Sequence, residues 1–201
     1  MWRKITTFSS SHVKANDGLF RRSIFSVVIA VLGSFVMTAA ETSESDTGLR
    51  DELRTVERLI AGHFDALPMR MIGRVRGGHL EEFGAVFLLE LNVVPMANVS
   101  PFRQPYSEAE RKNLNQKKRL GIDQLEQMGP VLLQKAAESL DAIPLEEDIA
   151  LIIALFYFTW EDTTGLPSQL VLQAPRKMLL DAMAGNIDEV GFKRAVKTRR
   201  F

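Results

Sequence analysis

Beyond its first fifth, the chain alternates between helical and extended apolar patterns. Leu49, Leu53, Val56, Ile60 and Phe64 recur at helical spacing. Asp51 and Glu52 fall in the first turn, where the helix dipole favours acids, and Pro68 stops the helix. Strands are predicted at 69–76 and, almost wholly apolar, at 83–94. They read as a hairpin with Met69 opposite Leu91, Met71 opposite Leu89, Gly73 opposite Phe87 and Val75 opposite Ala85, all toward the core. The other face then sets Arg70 opposite Glu90 and Ile72 opposite Leu88, an opposite-charge and an apolar cross-strand pair. Gly77 and Gly78 are expected to supply positive φ in the loop between them.

The stretch 95–106 holds Pro95, Pro101 and Pro105 and reads as a surface loop. Ser107 is a good N-cap with Glu108 and Glu110 behind it, opening a helix with Leu114, Leu125, Met128, Leu132 and Leu140 inward. Gly129-Pro130 is expected to break that helix into 108–128 and 130–141. Arg111, Lys112, Lys117, Lys118 and Arg119, mixed with Glu110 and Asp123, read as a solvated basic helix face, with a phosphate or headgroup patch as the alternative.

Residues 148–159 are the most apolar block after the amino terminus. Periodicity does not separate strand from helix there, but β-branched and aromatic content favours a central strand. Gly165 and Pro167 mark a loop at 160–168, a short strand 169–173 ends at Pro175, and a helix 176–184 stops at Gly185-Asn186. A last helix is expected from Asp188, with Lys193, Arg194, Lys197, Arg199 and Arg200 toward its carboxyl end. The order α, ββ, αα, ββ, αα predicts an α+β domain over 49–201, its antiparallel sheet built from hairpins at about 69–94 and 148–173 with helices packed on it.

The amino terminus carries a different pattern. Arg21 and Arg22 precede an apolar run from Ile24 to Met37, followed by Thr38-Ala39-Ala40 and the polar stretch 41–48. A basic flank, a short apolar run and a small-x-small end are the parts of a secretory signal, with cleavage expected after Ala40. Phe20-Arg21-Arg22-Ser23-Ile24-Phe25 loosely resembles a twin-arginine export signal. The alternative is that residues 24–40 stay as an uncleaved anchor in the inner membrane, although the run is short for the roughly 20 residues of a stable span.

Composition narrows the chemistry. The 201 residues include no cysteine, which removes disulfides, thiolate metal sites and thiol nucleophiles. Basic and acidic residues balance at 25 each, so net charge gives no argument for nucleic acid. Residues 1–40 hold five basic residues and one acidic, and the remainder carries 20 basic and 24 acidic residues, the charge of an ordinary soluble domain.

Candidate chemistry is sparse. Past residue 40 the only histidines are His63, near Asp65 at a helix end, and His79, in the 77–82 loop. No metal-ligand spacing joins them, so no metal or cofactor is expected. Glu161 and Asp162 follow Trp160 at the end of the buried segment, where paired acids suit acid–base work; ordinary acidic turn residues are the plainer reading. Glu161, Asp162, His63 and His79 are therefore the catalytic candidates. No nucleophile elbow, phosphate loop or dinucleotide fingerprint is present. Asn98-Val99-Ser100 matches a glycosylation acceptor. Candidate binding surfaces are Phe102 and Tyr106 in the proline-rich loop, the basic terminus 193–200 and the stripe Arg70, Arg74, Arg76, whose plainer reading is a solvated strand face.

These features favour an exported non-enzymatic domain that acts by binding, in the bacterial periplasm or at the cell surface, with a protein of the cell envelope as expected partner. One alternative is an exported metal- or carboxylate-dependent hydrolase. Another is an accessory protein tethered by residues 24–40.

Overall fold

The computed structural model describes residues 47–95 and 106–201. The signal or anchor segment, the polar stretch through 46, Phe102 and the Asn98 acceptor lie outside them. The order is α1 (47–65), β1 (Arg70–Leu80), β2 (Gly84–Asn92), α2 (Glu108–Glu138), β3 (Asp148–Leu155), β4 (Gln169–Pro175), α3 (Arg176–Met183), α4 (Glu189–Ala195) and β5 (Lys197–Arg200). The fold is α+β, with one five-stranded sheet in the order β1-β2-β3-β4-β5.

Alternate strand residues such as Phe87, Leu89, Leu151, Ile153 and Leu172 share a single core with Leu53, Val56, Ile60 and Phe64 of α1, Leu125, Leu132 and Leu133 of α2, and Leu179 of α3. Helices thus cover one face of the sheet. The predicted apolar stripe of α1 is the one it buries.

The two predicted hairpins, β1–β2 and β3–β4, are both antiparallel, but β2 and β3 pair in parallel, so the sheet is mixed rather than antiparallel throughout. The cause is α2. Gly129-Pro130 does not break it; one helix runs from Glu108 to Glu138 with Pro130 inside. A single crossover helix returns the chain to the end where β2 began, so β3 must run alongside β2. Two helices folded back on each other would have delivered an antiparallel strand. The Pro130 ring costs the ladder one donor, but tertiary packing holds the turn: a Cβ on Gly129 would collide with Leu172 of β4, so bare backbone seats α2 on the sheet.

The start of α2 is as expected. Ser107 Oγ accepts from the Glu110 amide at 3.3 Å, while the Glu110 carboxylate accepts from the Ser107 amide at 2.8 Å, a reciprocal cap. Its far end is finished by buried Arg176, which donates to the carbonyls of Ala137 (3.3 Å) and Ile143 (3.0 Å) and to Asp141 at 2.9 Å.

The first hairpin departs from the expected register. Arg70 lies opposite Asn92 and Ile72 opposite Glu90, and an irregularity between Ile72 and Arg76 moves the pairing on to Arg76 opposite Leu88. Both shifts are even, so each side chain keeps its predicted face. Gly77 and Gly78 are strand residues, not loop residues: β1 extends to Leu80, and Glu82 takes the positive φ (63°). Gly77 is demanded by close approach, since a Cβ would lie 2.7 Å from the Phe87 ring, and its amide donates to Glu57 of α1 at 2.6 Å.

The carboxyl terminus also differs. After α4, residues Lys197–Arg200 form β5 rather than continuing the helix, pairing Leu170 with Arg200 and Leu172 with Thr198. An otherwise unpaired edge of β4 outweighs extension of a seven-residue helix, and a basic edge strand discourages further pairing.

Candidate functional site

The carboxyl ends of β2 and β3 and the first half of α2 meet at one end of the sheet, where open sheets with parallel strands commonly hold ligands. The segment 156–165 folds over this end. Its anchor is Lys118, which occupies a core position of α2 four residues from both Leu114 and Ile122. Lys118 Nζ meets Glu161 Oε2 at 2.5 Å, with the two side chains 1% and 3% exposed. It also donates to the Phe156 carbonyl at 3.1 Å and sits 4.6 Å from the centre of the Tyr157 ring. Burial pulls the Lys118 ammonium below its ordinary value, and Glu161 opposes that shift. The same burial, with the Glu161 charge beside it, pushes the Tyr157 phenol up to about 12. The phenol therefore stays protonated and donates to the Pro167 carbonyl at 2.6 Å.

Above this anchor lies an open groove of about 770 Å³ between α2 and the segment 161–164. Glu108, Arg111, Lys112, Asn115, Gln116 and Arg119 form its helical wall, a set that recurs at three- and four-residue spacing. The facing wall is held by Asn115, whose amide donates to the carbonyls of Asp162 (2.9 Å) and Thr164 (3.2 Å). Asp162 accepts from the Thr164 amide at 3.0 Å; hydrogen bonds from Thr164, then the Arg111 charge, hold its carboxyl below the usual range. Among the described residues, Lys112 and Arg119 make no ion pair. The groove therefore offers cations, amides and the carboxylates of Asp162 and Glu108, while Glu161 in its floor is already matched by Lys118.

A second hollow of about 500 Å³ adjoins it, between Val94, Pro95, Tyr106, Leu114, Lys117 and Trp160. Its two aromatic residues, Tyr106 and Trp160, open a chain of ring contacts that runs on beyond the hollow. Tyr106 stacks on Trp160 at 4.2 Å, Trp160 on Phe158 at 5.6 Å, and Phe158 meets Phe156 edge-on at 5.0 Å.

The catalytic candidates are not brought together. Glu161 and Asp162 lie at this end of the sheet. His79, on β1 beside the first turn, pairs its Nε2 with Glu147 Oε2 at 2.9 Å, at the opposite end of β3 and roughly 23 Å of strand away. His63 sits on α1 with its Nε2 buried and, among the described residues, without a hydrogen-bond partner; burial, then the Lys135 charge, lowers its imidazole. Neither histidine lines the groove. Among the described residues no three of His, Asp and Glu converge to hold a metal ion, and no helix is long and apolar enough to cross a membrane. Of the binding candidates, Tyr106 joins the chain of ring contacts. Arg70, Arg74 and Arg76 are exposed on edge strand β1, on the face of the sheet away from the helices.

Lys118, by contrast, was expected in solvent with its basic neighbours. Its spacing from Leu114 and Ile122 was the available sign of burial: a cation inside an apolar stripe. The chain matches no family model, no curated protein and no solved structure.

Proposed function

We propose that this chain is an exported domain that acts by binding, in the periplasm or at the cell surface, and that the groove on α2 receives an anionic ligand such as a carboxylate-bearing peptide. The observation that carries this reading is the row Arg111, Lys112 and Arg119 on one face of α2; of the three acids lining the same groove, Glu161 is already paired with Lys118, while Asp162 and Glu108 stand at its sides. Among the described residues Lys112 and Arg119 make no ion pair, and cations without an internal partner gain the most from an incoming anion. Pairing of Glu161 also speaks against its use as a proton-transfer group, and His79 lies too far away to assist it. Export rests on the arginine pair, apolar run and small-residue end of residues 21–40.

The binding test is equilibrium titration of a fluorescent hexaglutamate peptide. The double variant Arg111→Glu, Arg119→Glu should lose binding, and affinity for the unaltered chain should fall as salt rises. Salt-independent binding that survives both substitutions would remove the groove from consideration. Export is tested by intact mass after fractionation. A soluble periplasmic product starting at Glu41 supports a free exported domain, whereas a full-length product in the membrane fraction favours the tethered alternative.

A further inference from the structure

The sheet carries apolar residues on both faces and described helices on only one. β2 and β3, the parallel pair, read Gly-Ala-Val-Phe-Leu-Leu-Glu-Leu and Asp-Ile-Ala-Leu-Ile-Ile-Ala-Leu. Parallel strands with near-continuous apolar runs are ordinarily covered on both sides. The core takes Phe87, Leu89, Leu151, Ile153 and Leu172. The intervening residues form a stripe on the other face: Val86, Ile152 and Val171 half-buried, and Leu88 45% exposed.

That stripe has basic rims. Cross-strand pairing sets Arg76, Leu88, Ile152, Val171 and Arg199 in one row across all five strands. Arg74 and Lys197 lengthen the two rims and are exposed. Two acids share the face, Glu90, which is exposed, and Asp148, which accepts from Gln173 at 2.9 Å. At about 4.8 Å between strands, the apolar part of the row is about 10 Å wide and the rims about 19 Å apart. An α-helix with its side chains is about 10 Å across.

We propose that this face docks an acidic amphipathic helix from a protein partner, its apolar side on the Leu88–Ile152–Val171 row and its flanking carboxylates against Arg76 and Arg199. Such a helix supplies the covering layer the parallel pair calls for, and it matches the rims in charge and width. A second copy packed face to face would set arginine rim against arginine rim. A lipid surface suits protruding apolar tips with Trp or Tyr at their margin; this row is of branched aliphatics recessed between longer arginines. The proposal does not rest on the α2 groove.

The test titrates the full chain into a fluorescent synthetic helix of about 18 residues with a leucine face flanked by glutamates, long enough to be helical when bound. The same helix with lysines replacing the glutamates is the control. The acidic helix should bind and the basic one should not. Leu88→Asp, at an exposed position, should weaken binding at least roughly tenfold. Arg76→Glu with Arg199→Glu should do the same, and decides the matter should the Leu88 variant fail to fold by circular dichroism. Because glutamates can also enter the α2 groove, the face variants are compared in the Arg111→Glu, Arg119→Glu background, where Leu88→Asp should still weaken binding of the acidic helix about tenfold. No further loss in that background overturns the proposal. Equal binding of both helices, or affinity indifferent to the face variants, overturns the proposal. So does Leu88-dependent self-association in sedimentation, which assigns the face to a second copy, or Leu88-dependent binding to phosphatidylserine vesicles without binding of the helix.

Discussion

Two charge clusters tie α2 to later parts of the chain, and they differ in one respect that decides their energetics. In the first, Lys118 and Glu161 are 1% and 3% exposed and hold the segment under the groove. In the second, Arg200 of β5 donates to Glu126 at 2.5 and 2.7 Å and to Asp123 at 2.8 Å, with all three side chains a quarter or more exposed. By distance alone they are equals. Water separates them. The buried pair has no solvent to fall back on when one partner is lost, so it fixes where the segment 156–161 must sit. The exposed cluster can exchange each contact for hydration at little cost.

The sharpest way to break this comparison is Lys118→Met, which leaves Glu161 buried without its partner. Loss of about 3–5 kcal/mol in denaturant unfolding is expected. The double variant Lys118→Met, Glu161→Gln should recover a substantial part, because no buried charge then remains unmatched. A single variant no worse than the double would mean that water already reaches Glu161. Next in size is Gly129→Ala, about one turn beyond the second cluster on α2, which tests whether packing matters as much as charge. Its methyl meets Leu172 of β4, and a loss of about 1–3 kcal/mol is expected despite alanine's better helix propensity. A stabilised variant would show that α2 can lift from the sheet.

The same contrast between local and long-range forces explains which parts of the fold were legible. The stripe on α1, the Ser107 cap and the two hairpins depend on neighbours in sequence, and their residues announce them. Gly129-Pro130 reads locally as a break, and only Leu172, more than forty residues on, shows why the helix carries through. That single misreading also turns the parallel pairing of β2 with β3 into an antiparallel one. β5 depends likewise on an edge that β4 leaves free, which nothing in Lys197–Arg200 reveals. At the candidate site, Glu161 stood out as an acid beside Trp160. Its partner did not, because a lysine among four other basic residues looks solvated until its place in the apolar stripe is counted.

Smaller effects test the exposed side of the comparison. Arg200→Ala should cost about 1 kcal/mol or less in denaturant unfolding despite its three short contacts, and the cost should shrink further at high salt. A loss rivalling that of Lys118→Met would show that geometry outweighs exposure, and would reverse the argument.

His63 is a third case, a half-buried residue whose buried Nε2 has no hydrogen-bond partner among the described residues. Burial, with Lys135 adding to it, holds the folded imidazole below its ordinary value, so the unfolded chain takes up the proton first as pH falls. Where the unfolded state binds more protons, stability rises with pH. Stability should therefore be at its full value above about pH 6.5 and decline below it. Unfolding midpoints for the unaltered chain and His63→Gln, compared between neutral and mildly acidic pH, isolate this contribution, because glutamine takes no proton there. The unaltered chain should lose more of its midpoint than the variant. Parallel curves would mean that water already hydrates His63 Nε2, and that burial at this position carries none of the penalty that sets Lys118 apart from Arg200.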